Sequence, residues 1–370
     1  MSLFYRLSSK IDGLGGGVMD AAEFDLSTFE NIWSEIYQQY DWLMDADYLD
    51  KTNLLKVENF NLVGFFQSLG DYALHELTTG FTQFKSILIF LIIIALFQNI
   101  QSTFSTKYEK VTNIVLKLIL MVQLFQLFIF YHDYVLDILT RYMNIVVAIF
   151  PMLLSLITIT GALWNQTLFK PAVVFLINAS YFFINAISLP LTVIGTIFGF
   201  INQINVEDLY GRLISFVNKV ALWTLGGYFA FFLALMSIQN MTLSFADGLF
   251  FRTTQNLMNH IPVIGTRFTD TIVSVVSTLS ILRNSVGLLG VITLVVVVSF
   301  PIIKVGVSLI LFRLLTGVIQ PIVSKDYIKI LDVFNTGLMN LLVIMIIIGV
   351  MFIFTFFIIL YSSNMMLLTN

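Results

Sequence analysis

The stretch LLVIMIIIGVMFIFTFFIIL, residues 341–360, contains no charged side chain. About twenty consecutive apolar residues are needed to cross the hydrocarbon core of a bilayer. Because lipid offers backbone groups no hydrogen-bond partner, a crossing segment of this kind has to be helical. The stretch therefore predicts a transmembrane helix, which we place over residues 335–361.

The composition of the whole chain supports a membrane protein. Hydrophobic residues make up 58% of the 370 residues and charged residues 11%, against about 45–50% and about 25% in soluble domains. Four further crossings are predicted over residues 86–104, 112–131, 137–160 and 219–240. Two longer apolar blocks, residues 171–204 and 286–319, are interrupted by Pro190 and Pro301, and each fits one kinked helix or two half-spans. The predicted fold is an all-α, polytopic integral membrane helical bundle with about seven crossings, give or take about two.

Charge divides the chain into two regions. Residues 1–84 carry 13 acidic and 4 basic side chains, a net charge of −9, whereas residues 85–370 carry 9 acidic and 15 basic, a net charge of +6. This predicts an acidic N-terminal helical region, 1–84, and a transmembrane domain, 85–370. Within the first region, residues 60–81 fit a helix at the level of the lipid headgroups or a solvated cap, with Asp71 and Glu76 in water.

Basic residues near the first crossing predict the orientation. Lys107, Lys110 and Lys117 follow that crossing and only Lys85 precedes it. Since cytoplasmic loops are enriched in lysine and arginine, this loop is predicted to be cytoplasmic and the acidic N-terminal region extracytoplasmic. The later loops are nearly balanced in charge and give no prediction. The apolar run near the N-terminus is too short for a secretory signal, so we expect that segment to be retained.

Motifs that indicate enzymes or cofactors are missing from the sequence. There is no phosphate-binding GxxxxGK[ST] loop, no HExxH pair and no GxSxG motif, and the three histidines lie far apart. The chain has no cysteine, which excludes disulfides and thiolate metal sites. Its basic residues are scattered and form no patch suited to nucleic acid. We therefore expect no catalysis, no cofactor, no metal and no nucleic-acid partner.

Polar residues inside apolar segments are the candidates for function, because each is costly in the membrane. Lys304 and Arg313 fit either side chains that extend to the headgroups or members of a buried pair or pore lining. The other candidates belong to a polar segment from Asp247 to Gly290. In that segment turns are expected at Asp247-Gly248 and Pro262–Gly265, and a helix of about 15 residues, 269–283, fits a re-entrant, interfacial or pore-facing position. The candidate partner-contact or conduit-lining residues are Asp247, Arg252, Arg267, Asp270, Ser274, Ser277, Arg283, Asn284 and Lys304.

Two further patterns bear on helix packing. GTIFG, residues 195–199, is a GxxxG motif, which often marks a close contact between helices. The pairs Pro151/Pro171 and Pro301/Pro321 repeat the same spacing, as duplicated transporter halves do. Because the chain has only six prolines, coincidence is the better explanation.

The order of several short motifs resembles a known family. These are LFQNIQSTF (96–104), ADGLFFRT (246–253), IPVIG (261–265), LRNSVGLLG (282–290), SFPIIK (299–304) and QPI (320–322). In this order and at these intervals they resemble the bacterial stage III sporulation protein AE family over nearly the whole chain. Two features differ from the family pattern: the apolar signal-like start is missing, and Arg283 stands where a lysine is frequent.

The resemblance implies a multi-pass protein of the mother-cell membrane that surrounds the engulfed forespore. It implies a place, similar to that of an export apparatus, in the channel complex or feeding tube between the two cells. The partners implied are other products of the same sporulation operon: a secretion-type ATPase, small membrane proteins and ring-forming intermembrane proteins, with the chain itself oligomeric. An autonomous secondary transporter and a non-conducting membrane scaffold remain the alternatives.

Overall fold

The computed structural model describes residues 62–101, 106–159, 174–204, 210–258, 295 and 297–364. For residues 62–63, 101, 106–109, 147–159, 236–258 and 356–364 it describes the helical backbone alone. All the regular elements of these ranges are helices, as predicted. We number them in chain order: α1 Leu62–Gln101, α2 Thr106–Ile159, α3 Val174–Asn202, α4 Gly211–Met258, α5 Val297–Ile319 and α6 Lys325–Asn364. Each is long and apolar enough to cross a membrane.

The number of crossing helices in the described ranges is six, within the predicted range. The difference from seven lies in α2, a single helix of 54 residues that contains both predicted crossings 112–131 and 137–160. At about 1.5 Å per residue such a helix is about 80 Å long, far more than the roughly 30 Å of the hydrocarbon core. Helix α1 also runs through Lys85 without a break, so the change of net charge there does not mark the end of a helix.

Proline does not end either of the two long apolar blocks. In α3 a π-helical turn, Ile184–Ser188, precedes Pro190, and the N–H of Leu189 donates to the carbonyl of Ile184. Proline lacks an N–H, and its ring crowds the carbonyl four residues earlier; the wider π turn is one way in which a helix adjusts locally. Pro301 lies in the first two turns of α5, which continues to Ile319. Of the two alternatives for residues 171–204, the one with two half-spans divided at Pro190 was therefore wrong.

Aromatic side chains from three helices meet in the core. The ring centroids of Phe84 on α1 and Phe312 on α5 are 5.2 Å apart, and those of Phe312 and Phe334 on α6 are 4.4 Å apart. All three rings are buried. Lipid is as apolar as these side chains, so close packing rather than exclusion of water has to hold the helices together.

The GxxxG motif on α3 lies at such a close contact, as predicted. A Cβ added to Gly199 would meet Val333 Cγ1 of α6 at 2.7 Å, and one added to Gly195 would meet the Asn218 side chain of α4. In return, a Cβ on Gly337 of α6 would meet Thr196 Oγ1 of α3 at 2.7 Å. Because glycine has no side chain, α3, α4 and α6 can approach one another closely at these positions.

Helices α1, α3 and α5 end, and α2, α4 and α6 begin, at one end of the bundle. Lys117 Nζ of α2 lies 2.7 Å from Asp326 Oδ2 of α6, and Gln98 Nε2 of α1 donates to Ser324 Oγ at 3.0 Å. The backbone N–H of Tyr210, just before α4, donates to Asn202 Oδ1 of α3 at 2.9 Å. This end, which we call the basic end, carries the described cations Lys110, Lys117, Arg212, Lys219, Lys325 and Lys329.

Candidate functional site

Lys304 forms an ion pair between α5 and α1. Its Nζ lies 3.9 Å from Glu76 Oε1 and 5.0 Å from the centroid of the Tyr134 ring on α2. The Glu76 side chain is 7% exposed and that of Lys304 is 24% exposed. An ammonium group above an aromatic face gains a favourable electrostatic interaction with the ring. Of the two interpretations offered for Lys304, the geometry favours the buried pair.

A second polar layer is formed by the same three helices. The Tyr131 hydroxyl of α2 lies 2.9 Å from Gln83 Oε1 of α1 and 2.8 Å from Ser308 Oγ of α5. A phenol hydroxyl can donate one hydrogen bond and accept another. Tyr131 can therefore donate to Gln83 Oε1 while it accepts a hydrogen bond from the Ser308 hydroxyl. Tyr131 is fully buried and Ser308 is 2% exposed, so these hydrogen bonds satisfy groups that water does not reach.

The two layers together form what we call the polar ladder: Glu76, Gln83, Tyr131, Tyr134, Lys304 and Ser308. Its members are seven residues apart on α1, three apart on α2 and four apart on α5, spacings that place each pair on one helix face. Gly80 lies between the two layers on α1, and a Cβ there would meet Leu311 Cδ1 of α5 at 2.8 Å. The small residue brings α1 close enough to α5 for the polar groups to meet.

Glu76 corrects one expectation from the sequence. It was predicted to lie in water on a helix at the headgroup level or on a solvated cap, yet it is 5% exposed and faces α5. The prediction failed because the segment continues into the long helix α1, and because its charge is compensated by a residue far away in sequence. The spacing of Glu76 and Gln83 on one helix face was the only signal that the sequence offered.

Arg313 behaves differently from Lys304. It is exposed and lies six residues before the end of α5 at Ile319, a distance of about 9 Å along the helix. A long arginine side chain can extend from there toward the basic end. This position agrees with the first of the two interpretations given for this residue.

The other eight candidate residues predicted from the sequence all lie where side chains are not described. Asp247 and Arg252 lie on α4, whose backbone is helical as far as Met258, so the turn expected at Asp247-Gly248 was wrong. Aspartate and glycine within a helix cost only about 1 kcal/mol or less each, so the helix continues through them. Outside the described residues lie Arg267, Asp270, Ser274, Ser277, Arg283, Asn284 and the expected turn at residues 262–265.

A cleft of about 260 Å³ lies between α3, α4 and α6. Its polar lining comes from Thr196 and Gln203 at the end of α3, Asn218 near the start of α4, and three residues of α6. The Asn340 Nδ2 group donates to Asn218 Oδ1 at 3.3 Å, one turn further from the basic end. The contribution of α6 is a polar stripe of Lys329, Asp332 and Thr336.

Metal binding finds no support in the part of the chain that the structure describes. No group of three histidine, cysteine, aspartate or glutamate side chains there could hold a metal ion. The ladder instead combines one anion, one cation and neutral hydrogen-bonding groups.

The sequence model of the stage III sporulation protein AE family matches residues 47–363. The chain belongs to this family. A stage III sporulation protein AE from Bacillus subtilis (strain 168) is 24% identical to it over 351 residues, which cover 93% of this chain and 88% of the relative. No solved structure matches the chain. The family match extends over all of α1 to α5 and nearly all of α6, so the polar ladder and the cleft both lie within the part that defines a stage III sporulation protein AE.

Proposed function

We propose that this protein is a membrane component of the multiprotein channel that links mother cell and forespore during endospore formation. It acts without catalysis and occupies a position similar to that of an export apparatus. The main support for the proposal is that the chain belongs to the stage III sporulation protein AE family. The name of this family indicates a role at the third stage of sporulation. Six long apolar helices support a multi-pass location, which we assign to the mother-cell membrane around the forespore.

The polar ladder supports a role that depends on intramembrane polar groups. Charged residues within membrane helices are costly, and they commonly mark pathways for ions or substrates, or contacts that hold an assembly together. In this chain, the pair Glu76 and Lys304 ties α1 to α5. The acidic N-terminal region leads directly into α1, so a partner that binds this region in the intermembrane space would act on the helix that carries Glu76.

The experiment for the channel is purification of the tagged full chain from sporulating cells. We expect it to retain the other products of its operon: the secretion-type ATPase, the small membrane proteins and the ring-forming proteins. Loss of the chain should stop late gene expression in the forespore. Purified protein that moves a defined solute into liposomes without any partner would overturn the proposal in favour of an autonomous transporter. Interrupted helices are typical of such transporters, but α3 and α5 continue past their prolines.

A passive scaffold can be separated from the channel by a truncation. Deleting residues 1–61 leaves α1 to α6 whole, whereas deleting residues 1–84 would remove Glu76 and half of α1. If the 1–61 deletion alone abolishes sporulation while Glu76 and Lys304 variants sporulate normally, the chain serves as a scaffold through its N-terminal region. Under the channel proposal, the ladder variants should also be defective.

A further inference from the structure

We propose that the cleft between α3, α4 and α6 binds the headgroup of a zwitterionic phospholipid, one that carries both a phosphate and an ammonium group, such as an ethanolamine phospholipid. The charged groups among the described lining residues are Lys329 and Asp332, three residues apart on α6. The side-chain amides of Asn218 and Gln203 face the same space from α4 and α3. Together they offer one cation, one anion and neutral donors and acceptors.

Within the part of the chain that the structure describes, neither Lys329 nor Asp332 lies within 4.0 Å of an oppositely charged group. The two therefore do not neutralise each other, although they are close in sequence. A ligand with a single charge would pair with one of these groups and leave the other without a partner near the hydrocarbon. A zwitterion satisfies both.

The position of the cleft along the bundle fits a lipid headgroup. Asp332 lies seven residues after Lys325, the first residue of α6, a distance of about 10 Å along the helix axis. The headgroup layer on each side of a bilayer is about 5–8 Å thick. With Lys325 at the outer limit of that layer, Lys329 and Asp332 lie at the boundary between headgroups and hydrocarbon.

The size of the cleft and the side chains around it also fit a phospholipid. A cleft of about 260 Å³ has room for a small polar group, and the phosphoethanolamine headgroup is small. Met339 is an exposed apolar side chain three residues after Thr336 and seven after Asp332, spacings that place it on the helix face that lines the cleft. An acyl chain can lie against this side chain while the headgroup occupies the cleft.

The test uses the purified full chain in detergent, titrated with phosphatidylethanolamine and followed by native mass spectrometry and thermal unfolding. We expect bound phosphatidylethanolamine to survive delipidation and to raise the unfolding temperature. Lys329→Gln and Asp332→Asn should each lower its retention at least fivefold. The matched control is Lys325→Gln, one turn earlier on α6 and outside the cleft lining, which should leave retention unchanged.

Three outcomes would overturn the inference. Equal retention of phosphatidylglycerol, lost in Lys329→Gln but kept in Asp332→Asn, would show a site for anionic lipid. Stabilisation by soluble phosphoethanolamine without any effect of the lipid would show a site for a free zwitterion. Unchanged retention in both cleft variants, with each variant eluting as a folded protein on size exclusion, would place any bound lipid elsewhere.

Discussion

Lys304 Nζ lies 3.9 Å from Glu76 Oε1 across the contact between α5 and α1. Glu76 belongs to the segment that the sequence assigns to the acidic N-terminal region, and Lys304 belongs to the transmembrane domain. The ion pair therefore links the two regions that net charge separates. Whether they are separate domains remains a prediction, but α1 carries one continuous helix across their boundary.

Breaking this pair should destabilise the protein. Glu76→Gln leaves the Lys304 ammonium without its anion, and we expect a loss of about 2 kcal/mol in the free energy of unfolding, less than the roughly 3–5 kcal/mol of fully buried pairs, because the Lys304 side chain is 24% exposed. Unfolding in mixed micelles measures this loss of stability.

Asp71→Asn is the control, because Asp71 is exposed on the same helix. The double variant Glu76→Leu with Lys304→Met should be more stable than Glu76→Gln; a double variant as unstable as the single one would contradict the ion pair.

The second layer of the ladder should behave as a coupled unit. Tyr131→Phe removes the hydroxyl that contacts Gln83 and Ser308, and we expect it to cost about 1–2 kcal/mol. Ser308→Ala should cost about 1 kcal/mol, and the double variant should cost less than the sum of the two. A double-mutant cycle on the free energy of unfolding checks this. Strict additivity would show that the two hydroxyls do not interact.

The close contact between α3 and α6 should depend on the size of residue 199. Gly199→Ala places a Cβ 2.7 Å from Val333 Cγ1, and valine cannot easily turn away because its χ1 is restricted. We expect a loss of about 1–3 kcal/mol from overpacking, partly recovered by Val333→Ala. The control is Gly226→Ala on α4, where an added Cβ meets nothing within 4 Å; there the better helix propensity of alanine should add up to about 1 kcal/mol. Equal effects at both glycines would contradict the close contact.

The orientation can be measured directly because the sequence has no cysteine. The basic end is expected to be cytoplasmic, since lysine and arginine accumulate on that side. The chain is best expressed in the plasma membrane of vegetative cells, where its extracytoplasmic side is open to the medium. There, single cysteines at Lys110 and Lys325 should resist a membrane-impermeant thiol reagent in intact cells and react in inverted vesicles. Cysteines at Asp71 and Asp133 should show the opposite behaviour. Labelling of Lys325→Cys in intact cells would reverse the proposed orientation.

The polar segment after α4 lies outside the described residues and still carries a prediction of its own. Asp270→Leu and Arg267→Leu should each impair assembly or passage through the channel if these side chains are buried or line the conduit, because either change leaves opposite charges or polar groups without a partner. Spore yield and co-purification of the operon partners measure the effect. Normal spore yield in both variants would remove the segment from the candidate site.

The sequence predicted those features that depend on the surrounding solvent. A run of apolar residues such as 341–360 must be helical in lipid wherever it lies in the fold, so the helix class followed from composition and segment length. The GxxxG contact at Gly195 and Gly199 was also predictable, because small residues at this spacing leave a flat strip on a helix surface. The order of short motifs was sufficient to indicate the family.

Only the tertiary structure decided the positions and partners of the polar groups. The partner of Lys304 is Glu76, on a helix hundreds of residues earlier, and no local pattern can specify a pair of that kind. The same applies to the cleft, whose lining from α3, α4 and α6 exists only after Gly199 and Gly337 have allowed those helices to pack. The sequence by itself determined that this chain is a helical membrane protein of a sporulation family, because partition into lipid depends on each segment alone. The ladder and the cleft depend on which helices become neighbours, and that is decided by packing between segments distant in sequence.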